Sequence, residues 1–133
     1  MSESPEIVGR LKRNLMSLGV YVERHALEEE TVHVEYETAA EGLTTNDIGN
    51  VCTELVDAHE AGWEPRDLHF WAFGTDGVGT FLGEWEVHAG WLYALDNGNI
   101  SQTDFSTLVL STRQPPEAGP GAEPSEGSES PTR

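Results

Sequence analysis

The sequence predicts an α+β fold, α-ββ-α-ββ-αα, with a four-stranded antiparallel sheet, helices packed on one face and a C-terminal helical hairpin. Three observations predict it. Two segments carry apolar residues at three- and four-residue spacing, the period of an amphipathic helix. Two further regions each hold a pair of alternating apolar and polar runs separated by a short turn. Finally, a short helical pattern ends on a glycine and is followed at once by a second helix start.

Ser4-Pro5-Glu6 opens the first helix as a cap, a first-turn proline and an acid near the positive helix end. Ile7, Val8, Leu11, Leu15 and Leu18 form its apolar stripe, and Gly19 stops it. Its polar side carries Arg10, Lys12 and Arg13, expected to pair with the domain's own carboxylates. Residues 20–27 and 31–38 then form a hairpin around the Glu28–Glu30 turn. Val32, Val34 and Tyr36 point one way, His33, Glu35 and Glu37 the other.

Thr44 to Asp47 opens the second helix as a capping-box variant, with Asp in place of Glu. Ile48, Val51, Cys52, Leu55, Val56 and His59 form one stripe, closed by Gly62 and Pro65. Within that stripe Cys52 reads as a small hydrophobe and not as a nucleophile. Trp63, just past the helix, reads as core packing.

Residues 68–74 and 79–88 flank Asp76-Gly77, a strong signal for a type I′ hairpin turn. In the second of these strands Phe81, Gly83, Trp85 and Val87 share one face. Thr80, Leu82, Glu84, Glu86 and His88 share the other. A phosphate cradle is the competing reading of Gly77-Val-Gly79. It fails because a cradle needs a helix after its glycines, whereas a strand-like run follows here. No Gly-Lys-Ser/Thr occurs in the chain. Gly83 is read as a close-packing residue.

The last two helices begin with Trp91, Leu92 and Leu95 and turn at Gly98. Ser101 and Asp104 form a capping box, and Ile100 with Phe105 forms a hydrophobic staple. Phe105, Leu108, Val109 and Thr112 continue the second stripe. The run Leu95-Asp-Asn-Gly98-Asn-Ile100-Ser101-Gln-Thr-Asp104-Phe105 resembles the short C-terminal helical-hairpin family called SHOCT. The resemblance covers residues 91–112 and implies a role in oligomerisation. Thr107 and Leu108 stand where that family carries a basic residue.

The chain carries 24 acidic and 7 basic residues, a formal net charge of −17, and Lys12 is its one lysine. This balance resembles proteins of salt-in halophiles, haloarchaea in particular, whose carboxylates keep them dissolved while salt screens their self-repulsion. The whole chain is similar to small haloarchaeal proteins, a likeness that implies no activity. So acidic a surface argues against broad nucleic-acid binding, which relies on Lys and Arg. The single cysteine, Cys52, excludes an intrachain disulfide and a cysteine-rich metal cluster. With no apolar run of membrane-spanning length, a cytoplasmic location is expected. Residues 1–113 are expected to fold as one domain, with 91–112 as a helical-hairpin subdomain. The Pro-, Gly-, Ser- and Glu-rich stretch 114–133 is expected to be a disordered acidic tail.

If the helices cover one sheet face, the other presents His33, Glu35, Glu37, His69, Trp71, Glu84, Glu86 and His88. His33, His69, His88 and Glu84 are the residue types that bind zinc or run acid–base chemistry. Their sequence spacing matches no close ligand motif, so no catalytic, metal or cofactor-binding residue is assigned, and no cofactor is expected. Trp71, Phe73 and Leu82 lie among these polar groups and mark a contact surface. With Trp91 and Phe105 of the helical hairpin they are the expected partner-binding residues. The hairpin folding back over them, or a second subunit, would cover them. The expected function is a non-enzymatic cytoplasmic interaction or oligomerisation domain that binds itself or another protein. A small metal-binding or hydrolytic enzyme is the alternative. A transcriptional regulator touching phosphate through Arg10, Lys12 and Arg13 is a second alternative.

Overall fold

The computed structural model describes residues 5–75 and 79–116. Along the chain run α1 (Pro5–Leu15), a 3₁₀ turn (Met16–Leu18), β1 (Val20–Glu28), β2 (Thr31–Thr38), α2 (Thr45–Glu60), β3 (Asp67–Gly74), β4 (Phe81–Val87), α3 (Ala89–Asp96) and α4 (Gln102–Leu110). The Ser4 cap, the Asp76-Gly77 turn and residues 117–133 lie outside the described residues.

The strands form one sheet in the order β1-β2-β3-β4. It is mixed, not antiparallel throughout as the alternation of helices and hairpins suggests. β1 with β2 and β3 with β4 are antiparallel, but β2 and β3 run parallel, His33 opposite His69 and Glu35 opposite Trp71. The physical reason is α2. Its 16 residues rise about 24 Å at 1.5 Å per residue, close to the ~26 Å of an eight-residue strand. The helix therefore returns the chain to the end of the sheet where β2 began, and β3 must start there.

One hydrophobic cluster holds the fold together. α1 contributes Ile7, Val8, Leu11 and Leu15, and α2 contributes Ile48, Val51, Leu55 and Ala58. They meet the inward side chains of the sheet, among them Val34, Tyr36, Phe70, Trp85 and Val87. On the sheet's inner face the Trp85 ring of β4 stacks on Phe70 of β3 with centroids 4.3 Å apart. Trp85 Nε1–H donates to Tyr36 Oη at 2.9 Å, which satisfies a buried donor that would otherwise cost about 1–3 kcal/mol. Leu92 of α3 and Phe105 and Val109 of α4 complete the same cluster. The expected stripe of α1 stops at Leu15. Leu18 is 49% exposed because it sits in the 3₁₀ turn that reverses through Gly19 into β1.

The start of α2 is half of the expected capping box. Thr44 Oγ1 accepts from the Asp47 N–H at 3.2 Å. The Asp47 carboxylate does not reach back; it is buried and accepts from Thr38 Oγ1 at 2.5 Å. That bond pins the first turn of α2 to the end of β2. At Ser101 both halves of the box are present.

Two backbone features shape the sheet. The β1–β2 loop is the pair Glu29-Glu30, with φ of 51° and 72°, the left-handed pair that a type I′ turn requires. In β4, Gly83 pairs with Ala72 while Phe81 pairs with Phe73, leaving Leu82 as the extra residue of a bulge. Beyond α4 the chain lies along the free edge of β4. Gln114 exchanges two backbone hydrogen bonds with Glu84, at 2.8 and 3.0 Å, and Thr112 Oγ1 accepts from the Glu86 N–H at 2.9 Å.

Candidate functional site

The alternation of β2 and β3 decides the site. Because Val32, Val34 and Tyr36 are buried against the helices, His33, Glu35 and Glu37 must emerge on the opposite face. The same rule applied to β3 buries Leu68, Phe70 and Ala72 and turns out His69, Trp71 and Phe73. The parallel register sets His33 beside His69, Glu35 beside Trp71 and Glu37 beside Phe73. On the other flank β4 sets Glu86 beside His69 and Glu84 beside Trp71. The outcome is an aromatic column along β3 with a carboxylate column on either side.

The rings pack on one another. Trp71 stacks on His69 with centroids 4.3 Å apart and on His33 at 5.2 Å. His69 Nε2 lies 2.6 Å from Glu84 Oε1, and His33 Nε2 lies 3.4 Å from Glu28 Oε1. These side chains are about a quarter exposed for the two histidines and 31% for Glu84. Trp71 itself is half-buried, and α3 and α4 pack on the core side of the sheet and not over Trp71.

The histidines do not converge as a set. His33 and His69 are neighbours, and Glu84 touches His69, but His88 lies apart, 3.0 Å from Glu86 and stacked on Trp91 at 4.3 Å. Among the described residues no group of three His, Cys, Asp or Glu side chains is placed to hold a metal ion.

The expected partner-binding residues separate into two groups. Trp71 and Phe73 stand on the open face. Leu82, Trp91 and Phe105 do not. Leu82 is swung by the bulge against the core cluster, Trp91 packs against the same cluster, and Phe105 is 3% exposed within it. A staple residue closes its own helix onto the domain, so Phe105 is consumed by folding.

The bulge supplies a residue that alternation misplaces. Phe81, expected inward with Gly83, is on the open face with its ring 5.5 Å from Phe73. The signal for it is Gly83, whose φ of 132° is open to glycine and strained for other residues.

A second concavity, about 430 Å³, lies between α2 and α4 and is lined by Ile48, Cys52, Val56, Leu95, Phe105 and Val109. Burial pushes the Cys52 thiol up to about 12, so it stays protonated and unreactive at neutral pH. Arg10 Nε pairs with Glu54 at 3.2 Å, the internal pairing expected for that basic side of α1.

The fold and this face define an α+β domain whose mixed sheet is covered by helices on one side and presents aromatic rings between carboxylates on the other. The chain belongs to the family described as a domain of unknown function, DUF8159, whose family model matches residues 1–119. No curated protein and no solved structure matches it. No helix among the described residues is long and apolar enough to cross a membrane.

Proposed function

We propose that the chain is a non-enzymatic protein-interaction domain whose contact surface is the open face of the sheet. The observation that carries this reading is Trp71, stacked against His33 and His69 at the middle of that face with Phe73 and Phe81 beyond it. Half-buried aromatic rings at the centre of a patch, bordered by charged side chains, are the composition of a protein contact. α3 and α4 form a helical hairpin in this reading, and its support is the mutual contact of the two helices and the Ser101 capping box. The packing of Leu92, Phe105 and Val109 into the core supports reading the SHOCT-like segment as an integral part of the domain.

The setting proposed is the cytoplasm of a salt-in halophile. The excess of 24 acidic over 7 basic residues supports it. Dialysis into low salt is then expected to abolish the native circular dichroism; a fully structured chain in dilute buffer would refute the halophile assignment.

Light scattering over a concentration series tests the contact surface, comparing the wild type with Trp71→Ser/Phe73→Ser. Where a second copy is the occupant, the wild type assembles and the double variant remains at 14.6 kDa with unchanged circular dichroism. Equal assembly of both proteins would refute this face as the contact. A wild type that is monomeric throughout would remove a second copy as its occupant.

A further inference from the structure

Resting on that reading, we infer that the open face takes an arginine-bearing segment of another protein, with a guanidinium packing against Trp71, beside the histidine rings already stacked on it, between Glu35 and Glu84. Strand pairing alone places this trio. Glu35 and Glu84 are the register partners of Trp71 on its two sides, each about 4.8 Å away across the sheet. A tryptophan face is the strongest aromatic partner for a cation. Carboxylates on both sides can accept the in-plane N–H groups of a guanidinium stacked on that ring. Lysine, a compact ammonium without a planar face, matches this arrangement less well.

Charge selects the class of partner. The strand positions of this face carry Glu28, Glu35, Glu37, Glu84 and Glu86 against Arg24. Arg24 already demonstrates the chemistry from within the chain, its Nε 3.3 Å from Glu35 Oε1. A second copy would set these glutamates against their own images, which costs affinity until salt screens them. A nucleic acid brings phosphates and is repelled. A cationic polypeptide removes the repulsion and covers the rings.

Calorimetric titration tests the inference at a salt concentration where circular dichroism is native. The probes are an eight-residue peptide of alternating Arg and Thr, its Lys counterpart and its Glu counterpart. The Arg peptide is expected to bind, the Lys peptide several-fold more weakly, and the Glu peptide not at all. Trp71→Leu is expected to weaken Arg-peptide binding at least tenfold. Glu35→Gln/Glu84→Gln is expected to weaken it and flatten its salt dependence. Asp57→Asn/Glu60→Gln makes the same charge change on α2 and is expected to leave binding unaltered. Equal losses in that control, or indifference to Trp71→Leu, would reduce the attraction to net charge and overturn the inference. No binding of the Arg peptide, together with Trp71-dependent self-association in light scattering, would name a second copy as the occupant and leave the contact surface standing. Absence of both would overturn both.

Discussion

Gly83→Ala tests the device that joins the fold to its open face. At φ 132° a residue with a side chain is strained, by about 1–3 kcal/mol. The added Cβ would lie 2.6 Å from the Gln114 carbonyl oxygen and 2.6 Å from Leu43 Cδ1. Leu43 can turn aside, but Gln114 O is backbone and accepts from the Glu84 N–H at 3.0 Å. Segment 112–114 must therefore leave the β4 edge, losing two backbone hydrogen bonds worth about 0.5–1.5 kcal/mol each. The sum is about 2–6 kcal/mol, or roughly 8–24 °C in thermal midpoint at about 4 °C per kcal/mol for a domain of this size. Thermal unfolding followed by circular dichroism in high salt measures it. Gly90→Ala is the matched control. Gly90 is exposed in α3 with nothing within 4 Å of an added Cβ, so alanine there should raise the midpoint through its helix propensity, by up to about 1 kcal/mol. Gly83→Ala with an unchanged midpoint would refute the bulge and the edge contact together.

Other perturbations probe separate parts of the molecule. Glu29→Asn/Glu30→Gly relieves two left-handed glutamates and removes two like charges, so it should stabilise by about 1 kcal/mol in urea unfolding; destabilisation would contradict the turn. Thr38→Val leaves the buried Asp47 carboxylate without its 2.5 Å donor and should cost about 1–3 kcal/mol, with Thr53→Val on the exposed side of α2 as the near-neutral control. The Cys52 thiol rises from its ordinary 9.0 to about 12. Below pH 9 both folded and unfolded chains hold the proton and stability is unaffected. Between pH 9 and 12 the unfolded chain releases it first, so stability falls as pH rises. Cys52→Ala should make that alkaline decline less steep; an identical slope would place the thiol in water.

The helices and strands were legible because their signals are local. Ile7, Leu11 and Leu15 announce a helix at any position in any fold, and the alternation in His33–Glu37 announces a strand with one wet face. That face could be listed from β2 and β3 before any strand was paired, since period two separates Trp71 from Phe70 without reference to neighbours. The misplaced residues all depend on something distant. Phe81 changes sides because of one inserted residue at Leu82, and that insertion is tied to the approach of Gln114 and Leu43 to Gly83. Asp47 abandons its own helix for Thr38 because the end of β2 is brought to it. Phe105, whose staple position says nothing of distant neighbours, is buried with Leu92 and Val109 in the core cluster.

By itself, then, the order of amino acids determined which segments are helix and strand, which side of each is apolar, and the heavy acidic surplus. Tertiary structure alone decided that β2 and β3 run parallel, which placed Glu35 on one side of Trp71 while the β3–β4 register placed Glu84 on the other. The reason is that periodicity specifies a side chain's face, whereas its neighbours across strands follow from the path of α2 and the shift at Gly83, which connect residues far apart along the chain.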